Sequence, residues 1–202
     1  MHALLLAGAA TQLEPGESSS ASLPVEIFKS AERGELQKVV KWLRKGGDAL
    51  HPVRALDGQT AACSLLHAAA SNGQLEIVRE LLQRGASVDL PGGLGLTALM
   101  EAAGIGLLPT LRLLLQHSAN PDLQDRNGYT ALILAAKYGE EACVQALLRA
   151  KANTEVLDYR GRTALRHAED QGHTTTAKLI RQHAAPPQPA AAPAAAPDAA
   201  EP

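Results

Sequence analysis

Aromatic residues are nearly missing from this chain. Its 202 residues hold one Trp, three Tyr and one Phe, 2% in all, against 38 Ala and 32 Leu, although 46% of the chain is apolar. A core must therefore be built from small and aliphatic side chains, and the length suffices for one sizeable domain or a short repeat array. Cysteine is as scarce. Cys63 and Cys143 are too few for a disulfide framework and form no redox motif, which suits a reduced intracellular setting. Long apolar runs are absent too: the best candidate, residues 107–115, is broken by Pro109, Thr110 and Arg112, short of the roughly 18 residues a membrane span requires. Residues 2–10 have the outline of a stunted signal peptide, but no Lys or Arg precedes their short apolar run. A cytoplasmic or nuclear protein with no membrane partner is expected.

Charge of one sign is lacking as well. The net charge is −2, and Glu14, Glu17, Asp198 and Glu201 lie in terminal stretches without any base. The body then carries 19 basic and 17 acidic residues (21 − 4), a balance of +2 that does not predict nucleic-acid binding. Those terminal stretches read as linkers. Residues 10–23 are rich in Ser, Glu, Pro and Gly, so residues 1–23 are expected to be disordered. Residues 184–202 hold six of the twelve prolines, which forbid a long helix despite the alanines, so a Pro/Ala-rich disordered tail is expected.

What the body does have is a period. Ser64, Thr97, Thr130 and Thr163 start four units, each 33 residues after the last. Gly73, Gly106, Gly139 and Gly172 follow nine residues later, and Leu81, Leu114, Leu147 and Ile180 seventeen residues later. The small pairs Ala69-Ala70, Ala102-Ala103 and Ala135-Ala136 recur between them and decay to Ala168-Glu169. A Ser or Thr at such a start caps free backbone N–H groups, so it opens a first helix of about nine residues. Glycine ends that helix by taking a left-handed conformation without steric cost. Leu75, Ile77, Val78, Leu81 and Leu82 then give a second helix one apolar face. Gly95, Gly128 and Gly161, two residues before the next start, predict a projecting loop or hairpin between units.

The T-x-L-x-x-A-A start, the glycine after the first helix, the paired Leu late in the second, and Ala86, Ala119 and Ala152 entering each loop resemble the ankyrin repeat family over about 120 residues. The family's usual Pro after Thr is replaced by Leu65, Ala98, Ala131 and Ala164, and its usual His survives only as His67. The resemblance implies an all-α solenoid of about five helix-turn-helix units. An earlier unit emerges when Gly34 is set on Gly73, which matches Val39 to Val78 and Trp42-Leu43 to Leu81-Leu82 at an offset of 39. Six extra residues therefore sit in an enlarged loop within 47–63. The expected units are 24–50, 61–93, 94–126, 127–159 and 160–183. Lys29, Lys38 and Lys41 would face solvent at one end, and Arg181 replaces the repeated Leu at the other, as the polar outer face of a terminal repeat requires.

Candidate chemistry is thin. His167, His173 and His183 form no His-x-His or HExxH pattern, and they read as isolated repeat positions. Cys63 and Cys143 lie more than two units apart, too far to pair at about 10 Å per helix layer. Residues 91–95 and 104–106 are glycine-rich but complete neither GxGxxG nor a P-loop. Residues 122–128 look polar enough for a calcium loop, yet that register puts Leu123 and Leu134 at ligand positions. No cofactor and no metal are expected. No nucleophile motif such as GxSxG occurs. An enzyme or a nucleic-acid-binding protein remains the alternative only through a site that leaves no motif.

The resemblance further implies a non-catalytic adaptor or inhibitor, a monomer that binds a protein partner through the loops and first helices of a concave face. By register, the loop positions are Leu94, Leu96, Arg126, Asn127, Tyr129, Tyr159, Arg160 and Arg162. The first-helix positions are Ser71, Asn72, Gly104, Ile105, Lys137, Tyr138, Asp170 and Gln171. All three tyrosines of the chain fall in this set, and Tyr and Arg are enriched at binding hot spots, so residues 124–172 are the expected contact region. The competing reading is that each tyrosine packs on its neighbour's loop.

Overall fold

Residues 25–47 and 64–184 are described by the computed structural model of the chain. The expected linker at 1–23, all but Ala184 of the expected tail at 184–202, most of the enlarged loop, and Cys63 lie outside the described residues. Within them run ten helices and no strand: α1 (Val25–Glu32), α2 (Leu36–Arg44), α3 (Leu65–Ser71), α4 (Leu75–Gln83), α5 (Ala98–Ile105), α6 (Leu108–Gln116), α7 (Ala131–Tyr138), α8 (Glu141–Arg149), α9 (Ala164–Asp170) and α10 (Thr174–His183).

The repeated Ser/Thr caps the first helix in every complete unit. The hydroxyls of Ser64, Thr97, Thr130 and Thr163 accept the backbone N–H three residues on at 3.2–3.4 Å. At Ser64 the His67 ring reaches back, its Nδ1 accepting the Ser64 backbone N–H at 3.3 Å. The first helices are seven or eight residues long, slightly shorter than the spacing suggested. Gly106 and Gly139 cap α5 and α7 in the left-handed conformation, whereas α3 and α9 close on Asn72 and Gln171 and leave the glycine to the turn.

Each first helix packs on its own second helix and on the first helix of the next unit. The alanine pairs 69-70, 102-103 and 135-136 are fully buried along that first-helix row, between backbones that approach closely. The second helices form a second row in contact with one another, and their Leu81, Leu114, Leu147 and Ile180 are fully buried. The first-helix row also buries large side chains, among them Leu65, Leu66, Leu99, Met100, Leu132 and Ile133. The early unit docks in the same way: Gln74 Nε2 donates to the Glu32 carbonyl at 3.0 Å. Lys29, Lys38 and Lys41 are exposed at this end, and Arg181 is exposed at the other, where it pairs with Glu169.

Three loops with tight turns connect the units from 64 onward. The N–H groups of Gly95, Gly128 and Gly161 donate to the carbonyls of Gly92, Asp125 and Asp158 at 2.9–3.0 Å, and each turn is closed by one strand-like bond, such as Asp125 N–H to the Tyr129 carbonyl at 2.9 Å. Successive loops also bond to one another. Arg126 N–H donates to the Leu94 carbonyl and Tyr159 N–H to the Asn127 carbonyl, both at 3.2 Å, so the loops stack in the register of the helices.

Candidate protein-binding face

Backbone conformation and buried carboxylates fix the loops first. Asp158 Oδ1 accepts the backbone N–H groups of Arg160 and Arg162 at 2.8 and 2.9 Å. Its Oδ2 accepts Nε2 of His167 at 2.8 Å and the Arg162 guanidinium at 3.1 Å. Burial alone would push the Asp158 carboxyl up, but these donors outweigh it and hold the group at about 2. Asp125 does the same work one unit earlier, accepting the N–H groups of Asn127 and Tyr129 at 2.8 Å. Two units before Asp158 the equivalent residue is Gly92, and His67 fills the gap: its Nε2 donates to the Leu96 carbonyl at 3.0 Å while Nδ1 lies 2.8 Å from the Ser64 hydroxyl. Burial lowers the affinity of His67 for a proton, in keeping with a neutral ring that donates from one nitrogen and accepts at the other.

This scaffold sorts the sequence-derived residues into two sets. Leu94, Ile105, Arg126, Asn127, Tyr138, Tyr159, Arg160, Asp170 and Gln171 are exposed. Leu96, Tyr129, Lys137 and Arg162 are half-buried. Leu96 and Tyr129 pack against the core, and the Tyr129 ring meets the His167 ring edge-on at 5.4 Å. Packing on a neighbour thus describes Tyr129, whereas Tyr138 and Tyr159 present 55% and 75% of their surface. Arg162 is engaged with Asp158 and Asp170, and Arg166 pairs with Asp170 at 2.9 Å. The Lys137 ammonium lies over the Tyr129 ring at 4.9 Å and the Tyr138 ring at 5.5 Å. His173 is tied to the Lys137 carbonyl at 3.2 Å and His183 to that of Leu179 at 3.0 Å, and no metal-holding cluster of His, Cys, Asp and Glu occurs among the described residues.

Among the described residues, the large apolar side chains left exposed are Val25, Leu94, Ile105, Tyr138, Leu157 and Tyr159. All six sit on first helices or loops, and none on a second helix. Leu157 was not legible in the sequence, since the same register position holds Gln124 and Pro91 in earlier units.

A groove of about 320 Å³ opens between α3, α5 and α7, lined by Ser71, Leu96, Met100, Glu101, Gly104, Ile105, Leu134 and Tyr138. Sequence reasoning missed Glu101. Its signal is its register: position four of the first helix is Ala68, Leu134 and His167 in the other complete units, all buried, so a carboxylate there is out of place. Glu101 Oε2 is buried without a hydrogen-bond partner, and burial pushes the carboxyl up to about 7. A second, open depression of about 400 Å³ lies between α6 and α8, bordered by Arg112 and Arg149.

Stacked helix pairs, hydroxyl-capped first helices and loops in hydrogen-bonded register define a helical repeat protein whose exposed large apolar side chains, among the described residues, fall on first helices and loops. The chain belongs to the ankyrin repeat family: the family model of ankyrin repeats (3 copies) matches residues 27–125 and 99–189. No curated protein matches the chain. Ankyrin repeats are generally protein-interaction modules and typically non-catalytic. No described helix is long and apolar enough to cross a membrane.

Proposed function

We propose that this chain is a monomeric, non-catalytic binding module, an adaptor or an inhibitor, that grips a protein partner through its loops and first helices. The observation that carries this reading is the confinement of exposed large apolar side chains, among the described residues, to those elements, with Ile105 and Tyr138 beside the groove and Leu94 and Tyr159 on loop tips. Hot spots favour aromatic side chains that can be buried among groups excluding water. The contact region is centred on residues 124–172, where Arg126, Tyr159 and Arg160 are all exposed. A cytoplasmic or nuclear setting suits Cys143, a buried thiol that burial and nearby Glu140 push up to about 11.

Tyr138→Ala combined with Tyr159→Ala tests the reading, with Tyr129 left intact because it packs on His167. Circular dichroism should be unchanged. Proteins retained by the immobilised wild-type chain should be lost from the variant, with affinity falling at least about tenfold. Unchanged affinity for those proteins would defeat the assignment of this face.

A further inference from the structure

We infer that the groove between α3, α5 and α7 accepts a Lys or Arg side chain from an extended segment of the partner, with Glu101 as its counter-ion and an apolar neighbour of that residue covering Ile105. The inference rests on the concave-face reading above and gives it a specificity.

The groove is mostly apolar, and Glu101 is the one ionisable carboxylate in its lining, beside the hydroxyls of Ser71 and Tyr138. Leu96, Met100, Ile105 and Leu134 supply aliphatic walls and Tyr138 an aromatic rim; Glu101 also lines the groove, and its Oε2 is buried with no hydrogen-bond partner. At about 320 Å³ the groove stands at the lower end of small-molecule sites, about 300–1,000 Å³, so a single long side chain suits it better than a cofactor. The methylene stem of Lys or Arg lies along apolar walls while its charged head reaches a polar group, and a guanidinium also stacks on an aromatic face. An acidic or apolar head would leave the carboxylate desolvated and unpaired, and a neutral donor would give it a hydrogen bond without compensating its charge.

The elements packed on α5 leave this role open. From α3 comes His67, neutral and held on the Leu96 carbonyl. From α7 come Lys137, whose ammonium sits over the Tyr129 and Tyr138 rings, and the Tyr138 hydroxyl. From α6 comes Arg112, which borders the depression shared with α8 instead. None hydrogen-bonds Glu101 Oε2. A cation bound there stabilises the ionised carboxylate, whose free form titrates near neutrality, so binding is tighter at higher pH.

The test is selection from a displayed library of random peptides of about twelve residues on the intact chain at pH 8. The recovered peptides are then titrated by fluorescence anisotropy against the wild type, Glu101→Gln and Tyr138→Ala. The expected peptides share a Lys or Arg next to an apolar residue and weaken about tenfold or more on Glu101→Gln. Exchanging the peptide's basic residue for Gln costs as much on the wild type and nothing further on Glu101→Gln. Wild-type affinity rises about tenfold from pH 6 to pH 8, and that rise disappears in Glu101→Gln, which keeps His67. Recovery of no basic peptide, or affinities indifferent to Glu101→Gln, overturns the inference. If such peptides still weaken on Tyr138→Ala, the concave-face reading survives; if they ignore both substitutions, it falls too.

Discussion

At the scale of single residues, two carboxylates show how one chemical group serves opposite ends. Asp158 is buried among donors, so its charge stabilises the fold; half-buried Glu101 has its Oε2 buried without them, so its charge works against it. For Glu101 the folded-state affinity for a proton exceeds that of the unfolded chain. Its penalty is absent below the ordinary carboxyl range near 4.5, grows as pH rises towards about 7, and is complete above. Glu101→Gln is therefore expected to stabilise the protein at pH 8 by about 1–2 kcal/mol, discounted for a partly open site, and to change little at pH 4. Thermal melts at the two pH values read this directly, and equal effects at both would contradict it. A binding residue that costs stability is what a site selected for function is expected to contain.

Asp158 has the reverse sign. Its carboxyl is held at about 2, below the usual 3.8, so its stabilisation is present above the usual value and fades as pH falls towards 2. Asp158→Ala strands Arg160 N–H, Arg162 N–H and His167 Nε2, and should lower stability by about 2–4 kcal/mol at pH 7. Asp125→Ala, which has neither a histidine nor an arginine partner, should cost less. Urea unfolding of both variants decides the ranking.

At the scale of elements, helices and loops are held by different forces. Hydroxyl caps, alanine contacts and aliphatic faces define the helices, and these follow from residue type at a fixed spacing. The loops depend on backbone approaching backbone. Gly128 sits at φ +79°, where a Cβ would lie 2.8 Å from Tyr159 N and 3.0 Å from the Asp158 Cα. Gly161 holds the same turn position at φ +71° with nothing within 4 Å. Gly161→Ala should therefore cost only the left-handed penalty, about 1–2 kcal/mol, whereas Gly128→Ala adds a clash that pushes adjacent loops apart, for about 3–4 kcal/mol in total. Melting temperatures of the pair measure the difference, and equal losses would show that the loops do not depend on their mutual contact. The two glycines look alike in the sequence; only the close approach of Asp158 and Tyr159 to Gly128 separates them.

At the scale of the whole molecule, each unit leans on its neighbours. Among the described residues the inner units meet a neighbour on both sides, while the first and last meet one on a single side, so stability should be graded along the stack. Hydrogen exchange followed by mass spectrometry should find α5 and α7 the slowest to exchange, and α1, α2 and α10 the fastest. Uniform protection would mean that the five helix pairs open only together. The same stacking turns separate exposed side chains into one surface, since Ile105 and Tyr138 come from different units yet line one groove.

The repeat, the helix pairs and the identity of the core positions were legible in the sequence, because a 33-residue period leaves every cap, turn and aliphatic contact at a fixed offset. The same register placed most of the expected contact residues at positions that are exposed, and others, such as Leu96, Tyr129, Lys137 and Arg162, at half-buried ones. Register assigns a position to a face, but it does not say what touches the side chain there. Only the tertiary structure decided that Tyr129 is held against His167 while Tyr138 and Tyr159 are free, that Arg162 belongs to the Asp158 network, and that Glu101 lines a mostly apolar groove with its Oε2 unpaired. Those outcomes depend on contacts between units, where neighbours about 33 residues apart set the burial and pairing of each side chain.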